Sequence, residues 1–245
     1  MPDSARCKNL ICAIDSADPF AAANLVAMVR NHVGAIKLGL EFFTANGPKG
    51  LREIAKYDLP IFLDLKFHDI PNTVAAAVSG AVKLGIFMLT VHCSGGAEML
   101  RAAAKAAAET AEATGRTRPL IMGVTVLTSM NDADLKGAGY KWRLKKQVLN
   151  LANLAEESGL DGVICSPHEI REIKKHCGPD FKLAVPGIRP IFAENNDQKR
   201  VMTPLEAIQL GADYLVIGRP ITKAPDPGTA AREIAGEINR AGGIL

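Results

Sequence analysis

Short apolar runs rich in branched side chains recur along the chain, each followed by a stretch with helical spacing. The runs fall at residues 10–14, 34–38, 61–65, 87–91, 120–126, 162–165, 182–185 and 214–217. They show little polar alternation, as strands buried on both faces do. Between them the apolar positions recur at intervals of three and four, predicting helices over 20–33, 73–84, 97–113, 144–158 and 204–210. Strand and helix alternate about every 25 to 40 residues, the length of a βαβ unit. Gly85, Gly159 and Gly211 stand just before the strands that open near Phe87, Gly162 and Tyr214, where a left-handed cap turns a helix into the next strand.

Eight such units fill the chain without a linker or a shift in composition. The pattern therefore predicts an α/β fold, a single (β/α)8 TIM barrel over residues 1–245, with its active site at the C-terminal ends of the strands. An open dinucleotide-binding sheet would need a glycine-rich turn after the first strand, and the turn here reads Asp15-Ser16-Ala17-Asp18-Pro19.

Composition adds mainly exclusions. With 245 residues, 48% of them hydrophobic, the chain can bury one large core. A balance of 29 basic against 26 acidic residues gives a net charge of +3, too weak to imply a nucleic-acid or membrane partner, though a local phosphate site is compatible with it. Five scattered cysteines, none in a C-x-x-C pair, suggest neither zinc nor a disulfide framework and fit a reducing compartment. The first nine residues lack a signal-peptide core, and no stretch approaches the roughly 18 apolar residues of a membrane span. A soluble, cytoplasmic protein is expected.

Candidate chemistry lies at the strand ends, which hold Asp15, Lys37, Asp64 with Lys66, His92, Thr128, Ser166, Arg189 and Arg219. Charges at the ends of buried strands need a reason, because desolvating an unpaired charge is costly. The densest cluster is Asp64-Leu65-Lys66-Phe67-His68-Asp69, leading into Ile70-Pro71-Asn72-Thr73. Asp64 and Lys66 are two apart on a strand, so their side chains leave the same face. A structural ion pair closing the strand end and a reactive pair both fit that spacing. Lys37, ending the neighbouring second strand, favours an alternating-charge network in which proton transfer becomes possible.

The turns Pro186-Gly187-Ile188-Arg189 and Gly218-Arg219-Pro220-Ile221 follow the seventh and eighth strands, where barrels often hold phosphate. Their glycines permit close backbone approach and their arginines can grip an anion. The polar stretch 190–202 between them reads as a surface loop or a lid over the catalytic face. His92 reads as structural, the role of His68 is open, and the scattered histidines form no metal-site spacing.

The motif Asp64-x-Lys66-x-x-Asp69-Ile70-Pro71-Asn72-Thr73 resembles the signature of the orotidine 5'-monophosphate decarboxylases. Ala13-Ile14-Asp15, Ile36-Lys37-Leu38-Gly39, Val126-Leu127-Thr128-Ser129-Met130, Pro186-Gly187-Ile188-Arg189, Asp197-Gln198 and Ile217-Gly218-Arg219-Pro220-Ile221 follow in family order. The resemblance spans nearly the whole chain and implies decarboxylation of a nucleotide substrate without metal or cofactor. It further implies that Lys37, Asp64, Lys66 and Asp69 form a charged tetrad, with Lys66 delivering a proton to C6 of the pyrimidine. Asp15 and Lys37 would bind ribose hydroxyls, joined by Asp69 and Thr73 reaching the site of the second subunit in a homodimer, and Ile70 would also bind substrate. Thr128 would contact the base, Gln198 would bridge base and phosphate, and Arg189, Gly218 and Arg219 would hold the phosphate. Magnesium-dependent sugar-phosphate decarboxylases and aldolases share the shorter D-x-K-x-x-D motif but place a glutamate near the position of Lys37. A non-catalytic nucleotide-binding barrel would account for Gly218-Arg219 but not for the charges at the third strand.

Overall fold

In the computed structural model, which describes residues 6–190 and 202–242, eight parallel strands hydrogen-bond in chain order and close into a barrel. The strands are β1 (Cys7–Ile14), β2 (Val33–Gly39), β3 (Ile61–Phe67), β4 (Met88–His92), β5 (Leu120–Val124), β6 (Gly162–Ile164), β7 (Lys182–Pro186) and β8 (Tyr214–Ile217). The helices are α1 (Pro19–Val29), α2 (Leu40–Ala55), α3 (Pro71–Val82), α4 (Gly96–Thr114), α5 (Asp132–Gly137), α6 (Leu144–Glu157), α7 (Ile170–Cys177), α8 (Pro204–Gln209), α9 (Arg219–Thr222) and α10 (Pro227–Gly242). By its internal contacts the chain comprises two compact units, one formed by Met1–Asp64 with Val185–Leu245 and the other by Leu65–Ala184.

In the first unit, β1 pairs with β2 and β8, and β2 pairs with β3 in a register that sets Lys37 beside Phe62 and Gly39 beside Asp64. Leu10, Ile11, Ile14, Ile36, Leu38 and Leu63 are fully buried along these strands. Helix α1 starts where Asp18 accepts a hydrogen bond from the Phe20 amide at 2.8 Å and Pro19 takes the first turn. It stops before Arg30-Asn31-His32, and Val33 opens β2 instead of ending the helix as its apolar side chain suggested. Val33 is fully buried and sits opposite Cys7, so tertiary burial claims it for the sheet. Helix α2 carries Gly47 at φ 57° followed by Pro48, turn-like residues that hide a helix from sequence patterning. Burial of Phe42, Leu51 and Ile54 holds the helix together across that kink.

The second unit carries β4, β5 and β6, with β6 pairing to β7. Gly85 and Gly159 adopt positive φ of 75° and 80°, and Gly211 in the first unit 106°, so all three turn the chain as the sequence implied. At the start of β5, Asp161 receives Arg118 at 2.7 and 2.9 Å and the Ile121 amide at 2.7 Å. That clip joins the entries of β5 and β6. Strand β5 ends at Val124, two residues earlier than the apolar run, and Thr125 just beyond it donates its hydroxyl to the Ile164 carbonyl at 3.2 Å. Among the described residues no helix is long and apolar enough to cross a membrane.

Candidate active site

The first unit gathers three of the charges singled out in the sequence. Lys37, in β2, places its ammonium 3.4 Å from Asp15 Oδ1 and 3.5 Å from Asp64 Oδ2. Asp15 follows the end of β1 and Asp64 lies in β3, so adjacent parallel strands deliver the alternating charges at their C-terminal ends. The two contacts differ in environment. The Lys37 and Asp64 side chains are 13% and 12% exposed, whereas that of Asp15 is 64% exposed. A cation and a carboxylate largely withdrawn from water hold one another in orientation, while Asp15 keeps acceptor capacity toward solvent or a ligand.

Gly39 backs this arrangement, a role that sequence reading did not assign. A Cβ there would sit 3.3 Å from Lys37 Nζ and 3.9 Å from Asp15 Oδ1, so the missing side chain leaves room for the ammonium. In the same unit, Gly187 turns the chain after β7 with φ 81°. The Arg189 amide donates to the Met202 carbonyl at 3.1 Å, tying together the two ends of the polar stretch 190–202. Residues 191–201 of that stretch, Gln198 among them, lie outside the described residues. Gly218 precedes the short helix α9, which begins at the exposed Arg219. A Cβ on Gly218 would meet Ala13 only at 3.5 Å, ordinary van der Waals contact, so packing within the chain does not itself demand glycine there.

In the second unit, Lys66 is half-buried near the end of β3 and has φ 52°, one of two non-glycine residues in the left-handed region among those described. Regular strand alternation is therefore interrupted at Lys66, and the period-two argument pairing it with Asp64 does not carry through this residue. The Lys66 amide donates to the hydroxyl of Thr90 at 2.9 Å. Thr90 is fully buried in β4, within the otherwise apolar run Met88-Leu89-Thr90-Val91. One register further on, the rings of His68 and His92 lie 5.4 Å apart. Beyond the strand, Asp69 accepts from the Ile70 amide at 2.6 Å. Asp69, Ile70 and Thr73 are exposed at the start of α3, and Ile70 is 67% exposed, unusual for a large apolar side chain.

Thr128 is exposed in the segment after β5. Ser166, also at a strand end, has a local purpose: it forms a capping box with Glu169, whose carboxylate accepts from the Ser166 amide at 2.7 Å. Among the described residues no three His, Cys, Asp or Glu side chains converge as metal ligands.

The model of the orotidine 5'-phosphate decarboxylase / HUMPS family matches residues 8–234 of this sequence. The chain belongs to that family. Its relatives point to the decarboxylase branch: it is 50% identical to orotidine 5'-phosphate decarboxylase of Paramagnetospirillum magneticum over 92% of this chain and 96% of that one. The corresponding enzyme of Rhodospirillum rubrum is 53% identical, with 92% of each chain covered. Among solved structures, the orotidine 5'-phosphate decarboxylase of Lactobacillus acidophilus superposes with a TM-score of 0.84 at 35% identity, covering 94% of this chain and 98% of the other. An uncharacterized conserved protein of Geobacillus kaustophilus gives 0.82 at 33% identity, covering 94% and 100%. The matches to these decarboxylases thus run over nearly the whole length of the chain.

Proposed function

We propose that this chain is an enzyme, a carboxy-lyase that converts orotidine 5'-monophosphate to uridine 5'-monophosphate and CO2, a step of pyrimidine nucleotide synthesis. The observation that carries the reading is the Asp15–Lys37–Asp64 chain of contacts at the C-terminal strand ends, in a sequence about half identical to decarboxylases of that name.

Lys66 and Asp69 complete a tetrad with Lys37 and Asp64. The bond from C6 to the carboxylate breaks, CO2 leaves, and the electron pair stays on C6 in an orbital the ring cannot readily delocalise. The Lys66 ammonium stabilises that pair and delivers its proton to C6, then regains a proton from solvent. Asp64, held by Lys37 and largely buried, crowds the substrate carboxylate in the ground state. Asp15 and Lys37 bind ribose hydroxyls, Thr128 contacts the base, and Arg189, Gly218 and Arg219 hold the phosphate. Gln198 bridges base and phosphate. Phosphate contacts remote from C6 supply binding energy that orients the base. Neither a metal ion nor a cofactor is called for, since the developing charge meets a fixed ammonium.

The chain acts as a single barrel domain and as a homodimer, in which Asp69 and Thr73 serve the partner's site, while Ile70 contacts substrate. The exposure of Asp69 and Thr73 at the start of α3 supports that reading. A cytoplasmic location agrees with five buried, unpaired cysteines.

Loss of orotidylate absorbance at substoichiometric enzyme, with and without EDTA, tests the activity. Turnover that survives chelation is expected, and no turnover, or turnover requiring added magnesium, would overturn the assignment. Lys66→Ala should abolish turnover while uridine 5'-monophosphate still binds. A fully active monomer in sedimentation would refute the shared site.

A further inference from the structure

We propose that Thr90 is a positioning residue for decarboxylation, one that sets the Lys66 ammonium by fixing the lysine's backbone. The inference rests on the reading of Lys66 as the proton donor. Three observations carry it. Lys66 has φ 52° inside β3, a conformation that an L-residue with a long side chain adopts only when its surroundings impose it. Its amide donates to Thr90 Oγ1 at 2.9 Å, a side-chain oxygen where a regular parallel strand would offer a backbone carbonyl. Thr90 is itself fully buried, a hydroxyl-bearing residue in a strand whose other central positions are apolar.

A hydroxyl reaches out from its strand farther than a carbonyl and in another direction. Meeting it requires the Lys66 peptide to rotate out of the regular ladder, which turns the Cα–Cβ bond and swings the ammonium at the far end of a four-carbon chain. Without that acceptor the half-buried amide loses this bond, and relaxation of φ toward the β region would carry Nζ away from its position. Just past the end of β3, the ring of His68 lies 5.4 Å from that of His92 at the end of β4.

Thr90→Val removes the acceptor at nearly constant volume, and Thr90→Ser keeps it. Valine should lower kcat by on the order of 100-fold, the loss typical of a reacting group displaced by about an ångström. KM for orotidine 5'-monophosphate and the Kd of uridine 5'-monophosphate should stay within about twofold, because the nucleotide contacts lie elsewhere. Serine should restore kcat to within about threefold of the parent, since the acceptor returns. Should the valine variant not fold, Thr90→Cys, with only a weak sulfur acceptor, makes the same comparison and should fall well below serine. Equal losses for valine and serine, a loss confined to KM, or full activity of the valine or cysteine variant would overturn the assignment. Lys66→Ala separates the two readings. If it retains turnover, the proton-donor role of Lys66 falls; if it is inactive while the valine variant is normal, the role of Thr90 alone falls.

Discussion

Lys37 meets two carboxylates at almost the same distance, 3.4 Å to Asp15 and 3.5 Å to Asp64, so burial rather than separation decides which pair is coupled. For Lys37 and Asp64, with side chains 13% and 12% exposed, an effective dielectric of about 20 gives an attraction of about 5 kcal/mol before desolvation. Withdrawing both charges from water offsets much of this, leaving an expected coupling of about 1–3 kcal/mol. Asp15 is 64% exposed, and in nearly bulk water the same arithmetic gives about 1 kcal/mol before side-chain ordering and salt reduce it below about 0.5 kcal/mol. The perturbations are Lys37→Met, Asp64→Asn and Asp15→Asn, with the two double variants that complete each cycle. Urea unfolding of the ligand-free proteins, followed by circular dichroism and extrapolated to water, yields both coupling energies. Raising the salt concentration should diminish the Asp15 term more than the Asp64 term. An Asp15 coupling equal to or larger than the Asp64 coupling would refute the argument that burial sets the strength of this network.

Gly39→Ala would bring a methyl group to 3.3 Å from Lys37 Nζ, with no backbone penalty at φ −100°. It should lower kcat/KM by about tenfold with an unchanged circular dichroism spectrum, the cost of a displaced binding group; unaltered kinetics would show that the ammonium does not depend on this space. Arg219→Ala should weaken nucleotide binding by about 1.5–3 kcal/mol, the range for charged hydrogen bonds, and hardly change binding of the phosphate-free nucleoside. Equal losses for both ligands in titration calorimetry would remove Arg219 from the phosphate site. Burial pushes the Glu169 carboxyl above its ordinary range, outweighing the hydrogen bonds from Ser166 and the nearby His168 that favour its ionised form. The folded protein then keeps this proton after the unfolded chain has released it, so stability falls as pH rises from the ordinary carboxyl value of 4.5 through the raised one. Glu169→Gln should lack that decline, and identical pH slopes for both proteins in denaturant unfolding would contradict it.

The alternation of apolar runs with helical spacing was legible in the sequence because each strand is buried on both faces and each helix on one. Those local patterns survive folding, and with the order Asp15, Lys37, Asp64, Lys66, Asp69, Arg189 and Arg219 they were enough to give the barrel and the family. Boundaries were less legible where one side chain suits two fates. Val33 continues a helical apolar spacing yet is taken by β2, and no helix was predicted over 40–55, where α2 forms despite Gly47-Pro48, because packing of distant residues decides both. Ser166, one more polar residue at a strand end by spacing, serves a local cap.

Only the tertiary structure shows that Lys37 stands between two carboxylates of unequal burial, since that depends on the register of three strands and on Gly39 leaving space. It alone shows that the chain turns left-handed at Lys66 against the hydroxyl of Thr90, 24 residues away. Sequence periodicity assumes a regular strand, and it fails at Lys66, where the backbone of β3 leaves that regularity.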